Sequence, residues 1–178
     1  MKQRAGIKLL IGVPYHNADS RFDQSLLSFL KELEGNTQHY KVELIQVSNK
    51  TLVDAQNYIA EYFLTHDFDY LLIFECDNWG FNLIMFKALL ALNALVASMN
   101  YFSRWFPYYS CLMRIANPDI PSSKYCGYND TKGSHPVDMS GFGMMLIKRE
   151  VFNKLNKPYF RVNEYGGPGC YATDQSFS

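Results

Sequence analysis

Between Ile7 and Glu75, three short apolar runs alternate with two amphipathic patterns, and that alternation most constrains the fold. Ile7–Val13, Lys41–Val47 and Asp69–Glu75 each read as a strand bounded by breakers. Between them, Phe22, Leu26, Leu27, Leu30 and Leu33 recur near every 3.6 residues, and a second helix is expected over Leu52–Leu64 with Val53, Ile59, Tyr62 and Phe63 as core positions. Strand and helix in alternation imply right-handed βαβ units. The expected fold class is α/β, with a mostly parallel central sheet and helices on both faces. Ser20 is the expected cap of the first helix and Gly35-Asn36 its stop. A third helix is expected over about Asn82–Met99.

The third run ends in chemistry. Tyr70-Leu-Leu-Ile-Phe passes directly into Glu75-Cys-Asp77. Side chains at i and i+2 of a strand share a face, so both carboxylates are expected at the carboxyl end of a central strand. Ligands bind at that end of open α/β sheets. Two adjacent carboxylates repel unless a cation sits between them, and hard oxygen ligands suit Mg²⁺ or Mn²⁺. Cys76, between them, is expected to face the opposite way, into packing.

Neither G-x-G-x-x-G nor G-x-x-x-x-G-K-[ST] follows the first strand, which disfavours a Rossmann dinucleotide site and a P-loop. With 17 basic and 17 acidic residues among 178 the net charge is zero, so no nucleic-acid partner is expected. The apolar stretch Leu83–Met99 holds Lys87, Asn93 and Ser98 and falls short of a membrane span. Four cysteines without a C-x-x-C pair read as reduced thiols in a cytoplasmic protein.

The second half differs in character. A strand is expected near Tyr108–Ile115, a loop over Pro118–Pro136, a strand over Val137–Lys148 and a short helix over Arg149–Leu155. The last residues, Thr173–Ser178, read as the first turn of a helix cut off, the pattern of a piece of a longer protein.

Taken in order, Asp69–Asp77, Val137–Leu155 and Ala172-Thr-Asp174-Gln-Ser-Phe177, with a weaker match at Leu52–Asn57, resemble the nucleotide-sugar-dependent glycosyltransferases of GT-A fold. The likeness is greatest to the large inverting group with bacterial, phage and viral members. It implies one GT-A-like domain over 1–178, with a nucleotide-binding half (1–99) and an acceptor-side half (100–178). It further implies a nucleotide-diphospho-sugar donor, a glycan, protein or lipid-linked acceptor, and Mn²⁺ or Mg²⁺ held by Asp77 and Glu75. Pro14, Tyr15, His16, Asn49, Asn57 and Glu75 would contact the nucleotide. Trp79, Gly141, Phe142 and Gly143 would contact donor or acceptor sugar, and Asp174 would be the catalytic base. This chain departs from the pattern in three places: Glu75 replaces the first Asp of D-x-D, Gln56 the Arg of A-R-N, and Thr173 the Glu of E-D. A nucleotidyltransferase of similar core and a non-catalytic nucleotide- or glycan-binding module are the alternatives.

Overall fold

The computed structural model describes residues 6–16, 18–102, 110–115, 125–127 and 132–161. The elements run β1 (Ile7–Pro14), α1 (Ser20–Glu34), β2 (Tyr40–Val47), α2 (Leu52–Thr65), β3 (Tyr70–Ile73) and α3 (Leu83–Ala91). They continue with β4 (Val96–Ser98), β5 (Leu112–Ile115), β6 (Tyr125–Gly127), β7 (Met139–Ser140), β8 (Met145–Lys148) and α4 (Arg149–Phe152). The result is mixed α/β.

β1 pairs in parallel on both sides, with β2 from Ile7↔Tyr40 to Pro14↔Val47 and with β3 from Leu9↔Tyr70 to Gly12↔Ile73. A strand flanked on both sides and covered on both faces has no wet side, which explains its continuous apolar run. Leu9, Ile11 and Val13 enter one core with α1 and α3, while Leu10 enters the other with α2 and α4. In the first core Phe29 sits edge-on to Phe74, Phe81 and Phe86, at centroid distances of 5.9, 6.0 and 5.9 Å. In the second, Gly12 leaves room for α2, since a Cβ there would lie 2.4 Å from Ile59 Cγ2.

The sheet is mixed rather than mostly parallel. Its order is β2-β1-β3-β8-β4, and β8 runs antiparallel to both β3 and β4. The chain reaches β8 from a small antiparallel sheet, β6-β5-β7, so no helical crossover forces β8 to lie parallel to β3.

Several boundaries differ from expectation. Asp19, not Ser20, caps α1, its carboxylate accepting from Arg21 N at 2.8 Å. α3 ends at Ala91 because Asn93 takes a left-handed turn (φ 50°), held by Lys148 Nζ on its carbonyl at 2.9 Å, and Val96–Ser98 is a strand. The single strand expected over Val137–Lys148 is two, β7 and β8, joined by a crossing between sheets at Gly141–Met144. β6 falls inside the expected loop, and β5 starts at Leu112, with Tyr108 and Tyr109 outside the described residues. Among the described residues, no helix is long and apolar enough to cross a membrane.

Candidate functional site

Parallel strands whose helices all begin at one end leave a crevice there. Beyond the carboxyl ends of β1 and β2 lies a cleft of about 540 Å³. Pro14, Tyr15 and His16 line it from the end of β1, Val47 from β2, and Lys50, Thr51, Leu52 and Ala55 from the start of α2. Glu75, Cys76 and Asp77 line it from the turn after β3.

That turn differs from the expected pleat. β3 stops at Ile73, one further backbone bond joins Phe74 N to Gly12 O (3.1 Å), and Asn78 N closes a turn on Glu75 O (3.2 Å). Glu75 and Asp77 thus share the cleft through a tight turn rather than strand alternation. Asn78 Nδ2 donates to Asp77 Oδ1 at 2.7 Å and restrains that carboxylate. Cys76 is buried as expected, but its thiol does more than pack. Sγ donates to the His16 carbonyl at 3.0 Å and accepts the His16 N–H at 3.4 Å, which ties the β1–α1 loop to the acid turn. Burial pushes the Cys76 thiol up, Asp77 adds to the rise, and the bond with the His16 backbone opposes it. A protonated, engaged thiol is a clamp, not a nucleophile.

The opposite walls are equally determined. Tyr15 N bonds Val47 O at 2.8 Å, and its hydroxyl lies 3.2 Å from both Asp23 carboxylate oxygens. Burial and then Asp23 push the Tyr15 phenol up, so it stays neutral. On the far side, Asn49 takes φ 60°, which Asn tolerates, and turns the chain from β2 into α2. Thr51 caps that helix through Asp54 N at 3.2 Å. Lys50 brings an ammonium to the cleft, 5.7 Å from the centre of the Tyr58 ring. The cleft therefore carries two carboxylates on one side and a cation with a helix N-terminus on another. Leu52 and Ala55 fall within the weaker match at Leu52–Asn57, whereas Lys50 and Thr51 escape a motif-based reading; the signal for those two is position alone, directly after a strand that ends beside β1.

Other expected site residues lie elsewhere. Asn57 is engaged structurally: Oδ1 accepts from Phe160 N at 3.0 Å, and Nδ2 donates to Phe160 O at 2.8 Å. Phe142 is fully buried against Phe160, ring centroids 5.6 Å apart. Gly141 and Gly143 are buried in the crossing between sheets, where a Cβ on Gly143 would lie 2.6 Å from the Tyr101 ring. The glycine there thus admits Tyr101. Trp79 is 43% exposed beside the acid turn, with the Arg21 guanidinium 3.7 Å from its ring centre. Asp174 lies outside the described residues. Gln56, on α2, is fully buried, and neither side-chain atom has a hydrogen-bond partner among the described residues. Among the described residues, no group of three or more His, Cys, Asp or Glu converges as a metal site.

No family model matches the chain, and no curated protein matches it. Among solved structures, the crystal structure of A197 from STIV is similar to it, with a TM-score of 0.58 over 94% of this chain and 74% of that one. The two sequences are 16% identical, so this likeness concerns the fold alone.

Proposed function

We propose that this chain is a glycosyltransferase that moves a sugar from a nucleotide-diphospho-sugar to an acceptor hydroxyl, in a GT-A-type fold. One observation carries the reading. Pro14–His16 and Glu75–Asp77, singled out from stretches sixty residues apart, line one cleft with the loop that follows β2. In this reading the base and ribose lie against Tyr15, Val47 and Leu52, and the diphosphate lies between Lys50 and the acid turn. Two carboxylates are a suitable protein share for Mg²⁺ or Mn²⁺, which take their remaining ligands from substrate phosphates and water. Such an ion, when bound, neutralises charge on the leaving nucleoside diphosphate. Asp77, restrained by Asn78, holds the position, and Lys50 adds a second positive charge to the diphosphate. Asp174 takes the acceptor proton, which gives in-line attack and inversion. The reaction belongs to the cytoplasm in this reading.

A thermal-shift panel of UDP, GDP, CDP, TDP and ADP, with and without Mn²⁺, tests this. Ligand at one hundred times its Kd stabilises by about 2.7 kcal/mol. For a chain of this size that is a rise in Tm of about 5–11 °C. The expected result is a Mn²⁺-dependent rise with one nucleotide that Asp77→Asn abolishes. No rise with any of them refutes the reading. A rise without sugar transfer to any acceptor makes the chain a nucleotide-binding module instead.

A further inference from the structure

We propose that the open edge of the sheet, β4 with the outer face of α3, is the contact through which two copies of this chain join about a twofold axis. β4 ends the order β2-β1-β3-β8-β4, and among the described residues no strand pairs with its outer side. The ladder fixes which groups that side offers. Lys148 N donates to Leu95 O at 2.9 Å and Met99 N donates to Met144 O at 3.0 Å, with Ala97 opposite Leu146 between them. Inward and outward residues alternate along an antiparallel strand. Leu95, Ala97 and Met99 thus face β8, while Val96 and Ser98 aim N–H and C=O outward. A twofold axis normal to the sheet at Ala97 sets Val96 opposite Ser98 of a second copy. Each such pair exchanges both N–H···O bonds, and the two five-stranded sheets become one.

The side chains favour the same contact. Lys87 is the one charged residue of α3, and a helix apolar on nearly every side is ordinarily covered on every side. Here Phe86 and Leu89 face the core, yet Ile84 is 79% exposed, and Leu92, Leu95 and Val96 are 46, 42 and 36% exposed. From Ala88 to Phe102 no Asp, Glu, Lys, Arg or Pro occurs. Such residues ordinarily guard an edge strand, and β4 has only its shortness for protection. A second copy suits this surface best. Turned about that axis, the edge meets an antiparallel mate in register with itself, and α3 lies on the same face of the joined sheet as its own copy. Apolar side chains then meet apolar ones, and a net charge of zero sets no overall repulsion between copies. β4 lies at the far edge of the sheet from β2, so the cleft of each copy stays open. The pairing is therefore independent of the transferase reading.

The bland reading is a short edge capped by water beside ordinary surface apolar residues, and it predicts a monomer. The proposed contact is small beside a standard interface of about 800 Å² per partner, so a reversible dimer in the micromolar range is expected. Sedimentation equilibrium of the full chain between about 1 and 500 µM brackets that range. The mass should climb from 20.6 kDa toward twice that value and level there. Val96→Pro deletes an outward N–H that β8 does not use, a position where an edge strand tolerates proline. It is expected to weaken the dimer about tenfold, the worth of one or two hydrogen bonds. Ile84→Glu, on the outer face of α3, serves if the proline variant unfolds, and a similar loss is expected. Amide exchange read residue by residue gives a second measure. Val96 and Ser98 should gain protection as concentration rises, while Ala97, paired with Leu146 inside each copy, should not change. A chain that keeps the monomer mass at the highest concentration overturns the proposal. So does a dimer that a folded Val96→Pro or Ile84→Glu variant leaves unchanged, and so does a mass that rises past two copies without levelling.

Discussion

Arg149 offers the most direct test of how α2, whose first turn lines the cleft, is held. The last carbonyls of a helix lack partners within it, and α2 has no basic residue in its last turn. Arg149 supplies the missing donors from the start of α4. Nε reaches Phe68 O at 2.7 Å, Nη2 reaches Phe63 O at 2.7 Å and also His66 O, and Nη1 reaches Leu64 O at 3.3 Å. The guanidinium lies 4.8 Å from the centre of the Phe63 ring as well. A hydrogen bond from a charged donor contributes about 1.5–3 kcal/mol net. Arg149 is half-buried, so water reaches part of what Arg149→Ala uncovers. The loss is then worth one to two such bonds, or about 3 kcal/mol. For a chain of this length that lowers Tm by about 6–12 °C. Urea unfolding should show a lower midpoint with an unchanged slope. Arg149→Lys, with a single donor tip, should lose about half as much. An alanine variant within about 0.5 kcal/mol of wild type refutes the capping account. A lysine variant equal to wild type shows that charge, not the fork, is what matters.

Further outcomes follow from single side chains. Gln56→Met should raise stability by about 1–2 kcal/mol in urea, because it removes a buried amide that has no partner among the described residues; a fall shows that the amide is satisfied. Gly12→Ala should cost about 1–3 kcal/mol, and adding Ile59→Ala should bring the double variant below the sum of the two singles. Strict additivity rules out the clash. The raised Cys76 pKa means the unfolded chain loses that proton first as pH rises, so this stability is full below the ordinary thiol range and lost as pH climbs toward the folded value. Wild type should therefore lose more urea resistance than Cys76→Ala between about pH 7 and pH 10. Equal losses remove Cys76 from the account.

The elements most legible in the sequence are those whose burial pattern is local. α1 and α2 carry a 3.6-residue stripe, and β1 an unbroken apolar run, so their positions follow from spacing. The expected helix over Asn82–Met99 overshoots α3 because Leu83–Val96 is apolar on nearly every side, so periodicity marks no end, and the stop depends on Asn93 meeting Lys148. The split of Val137–Lys148 depends on Tyr101 packing at Gly143, forty-two positions away in sequence. The same limit governs the site. Glu75 and Asp77 announce themselves by type and spacing, as do Pro14–His16 by place. Asn57 reads as a ligand until Phe160 is seen to occupy both ends of its amide. Lys50 is an ordinary loop lysine until β2 is placed beside β1.

The position of β8 between β3 and β4 has a consequence for the newborn chain. β3 is complete at Ile73, but the strand that covers its open edge starts at Met145, 72 positions later by subtraction. At about 5–20 residues per second, a ribosome takes roughly 4–14 s to cross that gap. For that interval the emerging β2-β1-β3 sheet has an unpaired apolar border, the kind of surface that chaperones hold and that aggregation recruits. Lesions within Met145–Lys148 should therefore act through yield in the cell as much as through the melting point of whatever protein survives. Slowing translation before that strand should mimic them without altering a residue.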